Sequence, residues 1–271
     1  LLFFLIRLVL IIYLDNLMIN LRLNRHENNK NFFIKSAIVA TFITLFLLLL
    51  AVCGYRYNYF TVGYSLLFLT KYAVYCSVIA LALSLISIGY SFKLYKKFLN
   101  LVVGIFILAL NLIIISFFYY QILNLRSNPM INDISTDFND LLEFKVYKAH
   151  NLPKDEHYLI QKYGGFKLPN YDITPLLLSN VSKELIFNKS LLILKNMGLE
   201  ITYENLEEGI IEAVEKSFWY GFKDDLIIRI EELISSNILI NARSASRVGR
   251  SDFGKNSKRI KSYFLLLKSE L

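Results

Sequence analysis

The sequence predicts an α+β protein in two parts: three membrane-crossing helices, then an antiparallel-sheet domain with the order β-α-β-β-β-β-α. Three observations carry this prediction. Residues 36–54, 72–90 and 99–120 are uncharged apolar stretches close to the roughly 20 residues needed to cross the hydrocarbon core. Beyond residue 171 the pattern changes to strand-like alternation punctuated by two helical stripes. Finally, residues 1–125 carry 10 Lys+Arg against 2 Asp+Glu, whereas residues 126–271 carry 20 against 20. The excess charge of +8 therefore sits among the apolar segments, where basic loops set membrane topology. A basic chain invites a nucleic-acid partner, and this distribution argues against one; the bilayer is the expected partner.

Residues 1–35 read as an N-terminal cytoplasmic segment. The run at 1–14 is apolar but short for a span and is interrupted by Arg7. Met18 is a candidate start, which would make 1–17 non-native; the alternative is a signal-like or interfacial segment. Residues 36–120 form the three-span region. Its second span begins beside Lys71, whose long side chain can reach the headgroups, and its third ends in the aromatic cluster 117–120 expected at an interface. Arg22, Arg25, Lys30 and Lys35 precede the first span, and Lys93, Lys96 and Lys97 separate the second from the third. Only Arg56 lies between the first span and Lys71. The basic loops place the N-terminus inside, and so residues 121–271 outside. In a bacterium with two membranes that means an inner-membrane protein with a periplasmic C-terminal domain, a component of the cell envelope.

Residues 121–170 look irregular, with Pro129, Pro153 and Pro169 and a Gly164-Gly165 pair. Their apolar positions Ile131, Ile134, Phe138, Leu142 and Phe144 suggest a segment draped over the domain at 171–271. In that domain Ile173–Leu178 reads as a short strand, with Pro175 pointing to a sheet edge. Asn180 is a candidate cap for a helix over 181–197, which Gly198 would stop. Residues 199–204 form a strand, 210–218 and 225–232 a hairpin with Trp-Tyr-Gly-Phe at its tip, and 237–246 the last strand. Phe253, Ile260, Phe264 and Leu267 mark the last helix, 251–268, with Ser251 or Asp252 at its N-cap.

The candidate site lies where that strand meets that helix, in Ser-Arg-Val-Gly-Arg-Ser-Asp-Phe-Gly-Lys-Asn at 246–256. Arg243 and Arg247 share a strand face, about 13 Å apart, and Arg250 follows at the turn. Three guanidinium groups near a helix N-terminus would attract an anion. The ligand-binding set is Arg243, Arg247, Arg250, Ser251, Asp252 and Asn256, with Asp224, Asp225 and Trp219 from the hairpin tip. An anionic small molecule or a lipid with an anionic head and apolar body fits this set. The competing reading is internal pairing of the arginines with Asp224, Asp225 and Asp252, as a brace.

A non-catalytic module that binds such a ligand is the leading reading, a structural envelope protein that binds a partner is the alternative, and a hydrolase has less to stand on. Adjacent Asp224 and Asp225 face opposite ways on a strand and cannot act as a carboxylate pair. His150 and His157 lie outside these motifs, and Ser251 has no histidine partner by sequence. Cys53 and Cys76 both lie in apolar stretches, so neither a disulfide framework nor a cysteine metal site is expected, nor any cofactor.

Four stretches resemble one family: Ile-Asn-Asp-Ile-Ser-Thr-Asp at 131–137, Tyr-Asp-Ile-Thr-Pro-Leu at 171–176, Trp-Tyr-Gly-Phe-Lys-Asp-Asp at 219–225, and the 246–256 motif. Residues 131–271 are similar to the bacterial and plastid proteins grouped as domain of unknown function 1499, several of which also carry three N-terminal spans. The resemblance marks Asp133, Thr136, Asp137, Trp219, Gly221, Phe222, Asp224 and Asp225 as pattern positions. It marks Arg243, Ser246, Arg247, Gly249, Arg250, Ser251, Asp252 and Asn256 likewise. It implies no agreed biochemical function and no catalytic residues.

Overall fold

A computed structural model describes residues 32–93, 98–151, 173–234 and 237–271. The segment 1–14, Met18, Arg22, Arg25, Lys30, Lys96, Lys97, Pro153, His157 and Pro169 lie outside the described residues. The chain divides into two compact units: residues up to Ala51 with Leu66–Phe118, and Val52–Ser65 with Tyr119–Leu271.

The first unit is helical. Helix α1 spans Phe32–Arg56, α2 spans Lys71–Lys93 behind a wide π-helical turn at Tyr64–Thr70, and α3 spans Phe98–Ser127. Phe32–Arg56, Tyr64–Ser91 and Phe98–Ser127 are each long and apolar enough to cross a membrane. Apolar attraction between helices is weak in lipid, so small residues and polar contacts must hold them together. Both are present. Ala37 and Ile107 pack with Ile34, and a Cβ at Gly104 would meet Ile88 at 3.0 Å. Asn111 of α3 is fully buried; its Nδ2 donates to Thr41 Oγ1 of α1 at 2.9 Å, and its Oδ1 accepts from Ser77 Oγ of α2 at 2.9 Å. One polar clamp thus joins all three helices.

The second unit is an antiparallel sheet with two helices, an α+β domain as the patterning predicts. Its strands are β1 (Asp133–Ser135), β2 (Leu176–Ser179), β3 (Glu200–Asn205), β4 (Ile210–Lys216), β5 (Lys223–Glu232) and β6 (Asn237–Ser246). The helices are α4 (Lys183–Asn196) and α5 (Lys255–Ser269). The sheet order is β1-β6-β5-β4-β3, with β2 also on β6. The strands β1 and β2 lie end to end along one edge of β6, pairing with residues 243–245 and 237–240 respectively. Segment 121–170 therefore contributes a strand to the sheet.

Alternation along the strands gives the sheet two different faces. Ile211, Ala213, Leu226, Ile228, Ile230, Ile238, Ile240 and Ala242 form the core with α4 and α5. Each fully buried isoleucine contributes about 1.5–3 kcal/mol. Ser190 of α4 and Tyr263 of α5 join hydroxyls at 2.6 Å in that core. The opposite face is covered by the segment after β1, whose Leu142 and Phe144 pack on Ile227 and Ala245.

Ser182, not Asn180, caps α4: its extended backbone (φ −86°, ψ 149°) lets the hydroxyl accept from Leu185 N at 3.2 Å. Asn180 takes the left-handed conformation in the preceding turn, at φ 61°. Gly198 does end α4, at φ 83°, where its N–H reaches Lys195 O at 3.0 Å. The last helix begins at Lys255, four residues later than Ser251, because Phe253 and Gly254 are both left-handed (φ 56° and 75°). No helix can run through two such residues.

Candidate functional site

The arginines of β6 do not converge on the N-terminus of α5. Arg243 lies on the face opposite the helices, because Ala242 and Ser244 take the helix-facing positions on either side of it. It is 1% exposed. Its guanidinium grips Asp133 with both sides of the fork, Nε to Oδ1 at 3.0 Å and Nη2 to Oδ2 at 2.8 Å. Nη1 donates to Leu142 O at 2.6 Å and Nη2 to His150 O at 2.7 Å. The ring of Phe144 lies 5.2 Å away. One side chain thereby ties β6 to β1 and to both ends of the covering segment. Only a planar fork with several donors can do this.

Arg247 is on the same face and is also paired. Its Nε and Nη2 each donate to a carboxylate oxygen of Asp225 at 2.7 Å, and its guanidinium lies over the Tyr147 ring at 4.2 Å. The imidazole of His150, buried between Phe144 and Tyr147, meets Asp225 Oδ2 at 2.9 Å. Burial alone would raise the Asp225 carboxyl, but the hydrogen bonds from Arg247 and His150 and the Arg247 charge hold it below the usual carboxylate range. An ionised carboxylate only accepts, so His150 Nε2 carries the proton. The bond to Asp225 in turn raises Arg247. Nearby, Glu212 is pushed up by burial, while its carboxylate accepts the backbone N–H groups of Lys145 and Val146.

A second cluster occupies the helix side. Asp224 turns away from Asp225, as strand alternation requires, and accepts from Arg259 Nη2 at 2.8 Å. Arg259 Nε also donates to Glu215 Oε2 at 2.7 Å, and Nη1 to Ser244 Oγ at 2.8 Å. Asn256 is fully buried beside it. Its amide donates to Asn132 O at 2.9 Å and Ser246 Oγ at 3.2 Å, and its Oδ1 accepts from Ser244 Oγ at 3.0 Å. Among the described residues, Asp252 bonds no arginine side chain. Its oxygens accept from Gly254 N at 2.8 Å and Asn256 N at 2.7 Å, which caps α5 from three residues ahead of its first residue. Burial pushes this carboxyl up, partly offset by those two N–H groups. Ser251 is not the cap: its hydroxyl donates to Pro129 O at 3.2 Å and accepts from Phe253 N at 3.3 Å.

The nine sequence-predicted residues are thus dispersed. Arg243, Arg247 and Asp225 share one face; Asp224, Asp252 and Asn256 gather on the helix side; Ser251 bonds Pro129 and Phe253 in the turn; Arg250 is exposed and joins neither cluster; Trp219 is partly exposed at the hairpin tip. The predicted pairing of Arg247 with an aspartate holds through Asp225. Among the described residues, no hydroxyl or thiol bonds the His150 ring.

The 246–256 motif, its partners in β1 and β5 and the α5 stripe all fall within residues 133–267, which match the model of a protein family of unknown function, DUF1499. This part of the chain belongs to the DUF1499 family. No curated protein matches the chain. The DUF1499 boundaries have a structural sense: Asp133 is the residue gripped by Arg243, and Leu267 is the last fully buried residue of α5. Three members of the DUF1499 clusters, Asp133, His150 and Arg259, lie outside the predicted ligand-binding set. Asp133 lies 110 residues from Arg243, too far for a local signal. His150 sits in an irregular segment. Arg259 does leave a trace: it shares the stripe of Asn256, Ile260, Tyr263 and Leu267, and a charge on a buried stripe demands a buried partner.

Proposed function

We propose that the protein is a membrane-anchored, non-catalytic module of a bacterial cell envelope. Its DUF1499 domain stands on the extracytoplasmic side as a partner-binding scaffold. The observation that carries this reading is the complete internal engagement of Arg243, Arg247 and Arg259 by Asp133, Asp225, Asp224 and Glu215. Cations paired with internal carboxylates, of which Asp133 and Asp225 are buried, hold a shape; they do not stabilise a substrate's developing charge. The orientation rests on the basic residues ahead of α1 and between α2 and α3. Reporter fusions placed after residue 127 test it: a reporter active only outside the cytoplasm should light up, and one that works only in the cytoplasm should stay silent. The reverse pattern rejects the orientation.

An anionic small molecule or lipid headgroup is a second reading, now centred on Arg250, which is exposed on the turn before α5. Mass spectrometry of lipids co-purifying with the full chain decides it. Anionic lipid retained by the wild type and lost from Arg250→Ala supports binding; equal retention removes it.

A further inference from the structure

The β4–β5 hairpin tip has a divided character. Ser217 closes it: Ser217 N donates to Phe222 O at 2.8 Å, Phe222 N to Ser217 Oγ at 2.9 Å, and Gly221 N to Ser217 O at 3.0 Å. With Gly221 at φ 76°, the turn has one defined shape. Tyr220 and Phe222 stack on each other at 5.1 Å and face inward. Phe218 faces outward and is 91% exposed, and Trp219 beside it is 48% exposed. An apolar pair held outward on a rigid turn calls for an apolar surface to cover it.

The neighbours of the tip indicate which surface. Residues 52–65 belong to the same compact unit as the sheet. They include Tyr55 and Arg56, the last two residues of the membrane-length helix α1. The Tyr55 ring meets Phe222 edge-on at 5.0 Å, and Arg56 Nη1 donates to Phe218 O at 3.1 Å. The tip is therefore fastened to the very end of a span, the level at which Trp and Tyr collect in membrane proteins. Tyr57 and Tyr59, next along the chain, are exposed at that same end. Lys216 and Lys223, directly opposed at the base of the tip, are both exposed. Like charges facing each other across a ladder repel, and anionic headgroups would relieve that repulsion.

We infer that the β4–β5 tip contacts the bilayer: Phe218 and Trp219 lie in the headgroup layer at the end of α1, and Lys216 and Lys223 recruit anionic phospholipid around them. This inference rests on α1 crossing the membrane; it is independent of the domain's orientation and of any ligand at Arg250.

Trp219 is the sole tryptophan, so its emission reports on the tip alone. The full chain is reconstituted into phosphatidylcholine vesicles with and without phosphatidylglycerol, and an alkaline wash confirms that it stays with them. Trp219 emission should shift to the blue, fall when the lipids carry bromine near the headgroup end of their chains, and resist iodide. Quenching by bromolipid should deepen with phosphatidylglycerol and lose that dependence in Lys216→Gln/Lys223→Gln. Emission that ignores bromolipid but yields to iodide overturns the inference. So does emission that ignores both, since a protein surface, such as a second copy of the chain, would then cover the tip. A chain stripped by the alkaline wash rejects the spanning helices themselves, and the tip contact with them.

Discussion

At the scale of single residues, Arg243 and Asp225 carry the largest consequences. Arg243→Ala would strand the Asp133 carboxylate in the interior and free two backbone carbonyls, so we expect the DUF1499 domain to lose about 3–5 kcal/mol. Arg243→Lys should recover only part of this, since an ammonium group cannot span both Asp133 oxygens and two carbonyls. Chemical denaturation of the full chain in detergent, followed by far-ultraviolet circular dichroism, measures both; an Arg243→Ala domain as stable as wild type would refute the brace. Asp225 adds a pH dependence. Its folded pKa is depressed, so its contribution is present above the unfolded value of about 3.9 and is lost as pH falls through the folded value. Stability should therefore drop on acidification below about pH 4, and Asp225→Asn should flatten that limb while lowering stability at neutral pH. An unchanged acid limb in Asp225→Asn would show that another carboxylate is responsible.

Elements behave more as the sequence pattern leads one to expect, and the exceptions have physical reasons. Gly198 was legible as the stop of α4 because helices commonly end in a left-handed residue, and only glycine takes that conformation freely. Asn180 and Ser182 are both good caps, and the choice between them turned on a backbone angle that no composition reveals. The start of α5 shifted for a similar reason, since Asp252 reaches N–H groups from outside the helix. The three membrane-length helices were legible by their apolar runs, but the clamp through Asn111 was not, because Thr41 and Ser77 are ordinary residues until three helices bring them together. Asn111→Leu should destabilise the helical unit by roughly 0.6–2 kcal/mol, the range of single polar contacts in membranes. Gly209→Ala should cost the domain more than about 1 kcal/mol: φ is 69°, and the added Cβ would lie 2.1 Å from Ile230 O. Denaturant titration of each variant decides; unchanged midpoints would contradict the contacts described.

Across the whole molecule, the α+β class and the succession of elements beyond residue 171 were readable because hydrophobic period and turn residues act locally. The site was only half readable. Sequence spacing put Arg243 and Arg247 on one face, but it could not say that the segment after β1 closes over them and delivers Leu142 and His150 carbonyls to the guanidinium. The two short strands on the edge of β6 carry a further consequence, for the order of synthesis. The strand β1 leaves the ribosome soon after α3, and β2 follows, yet both await β6, more than a hundred residues after β1. Until β6 is made, Asp133 has no guanidinium and neither strand has a ladder. A chain ending before residue 237 cannot assemble any part of this edge, and the unpaired strands would mark it for proteolysis. This edge is therefore among the last parts of the sheet to close.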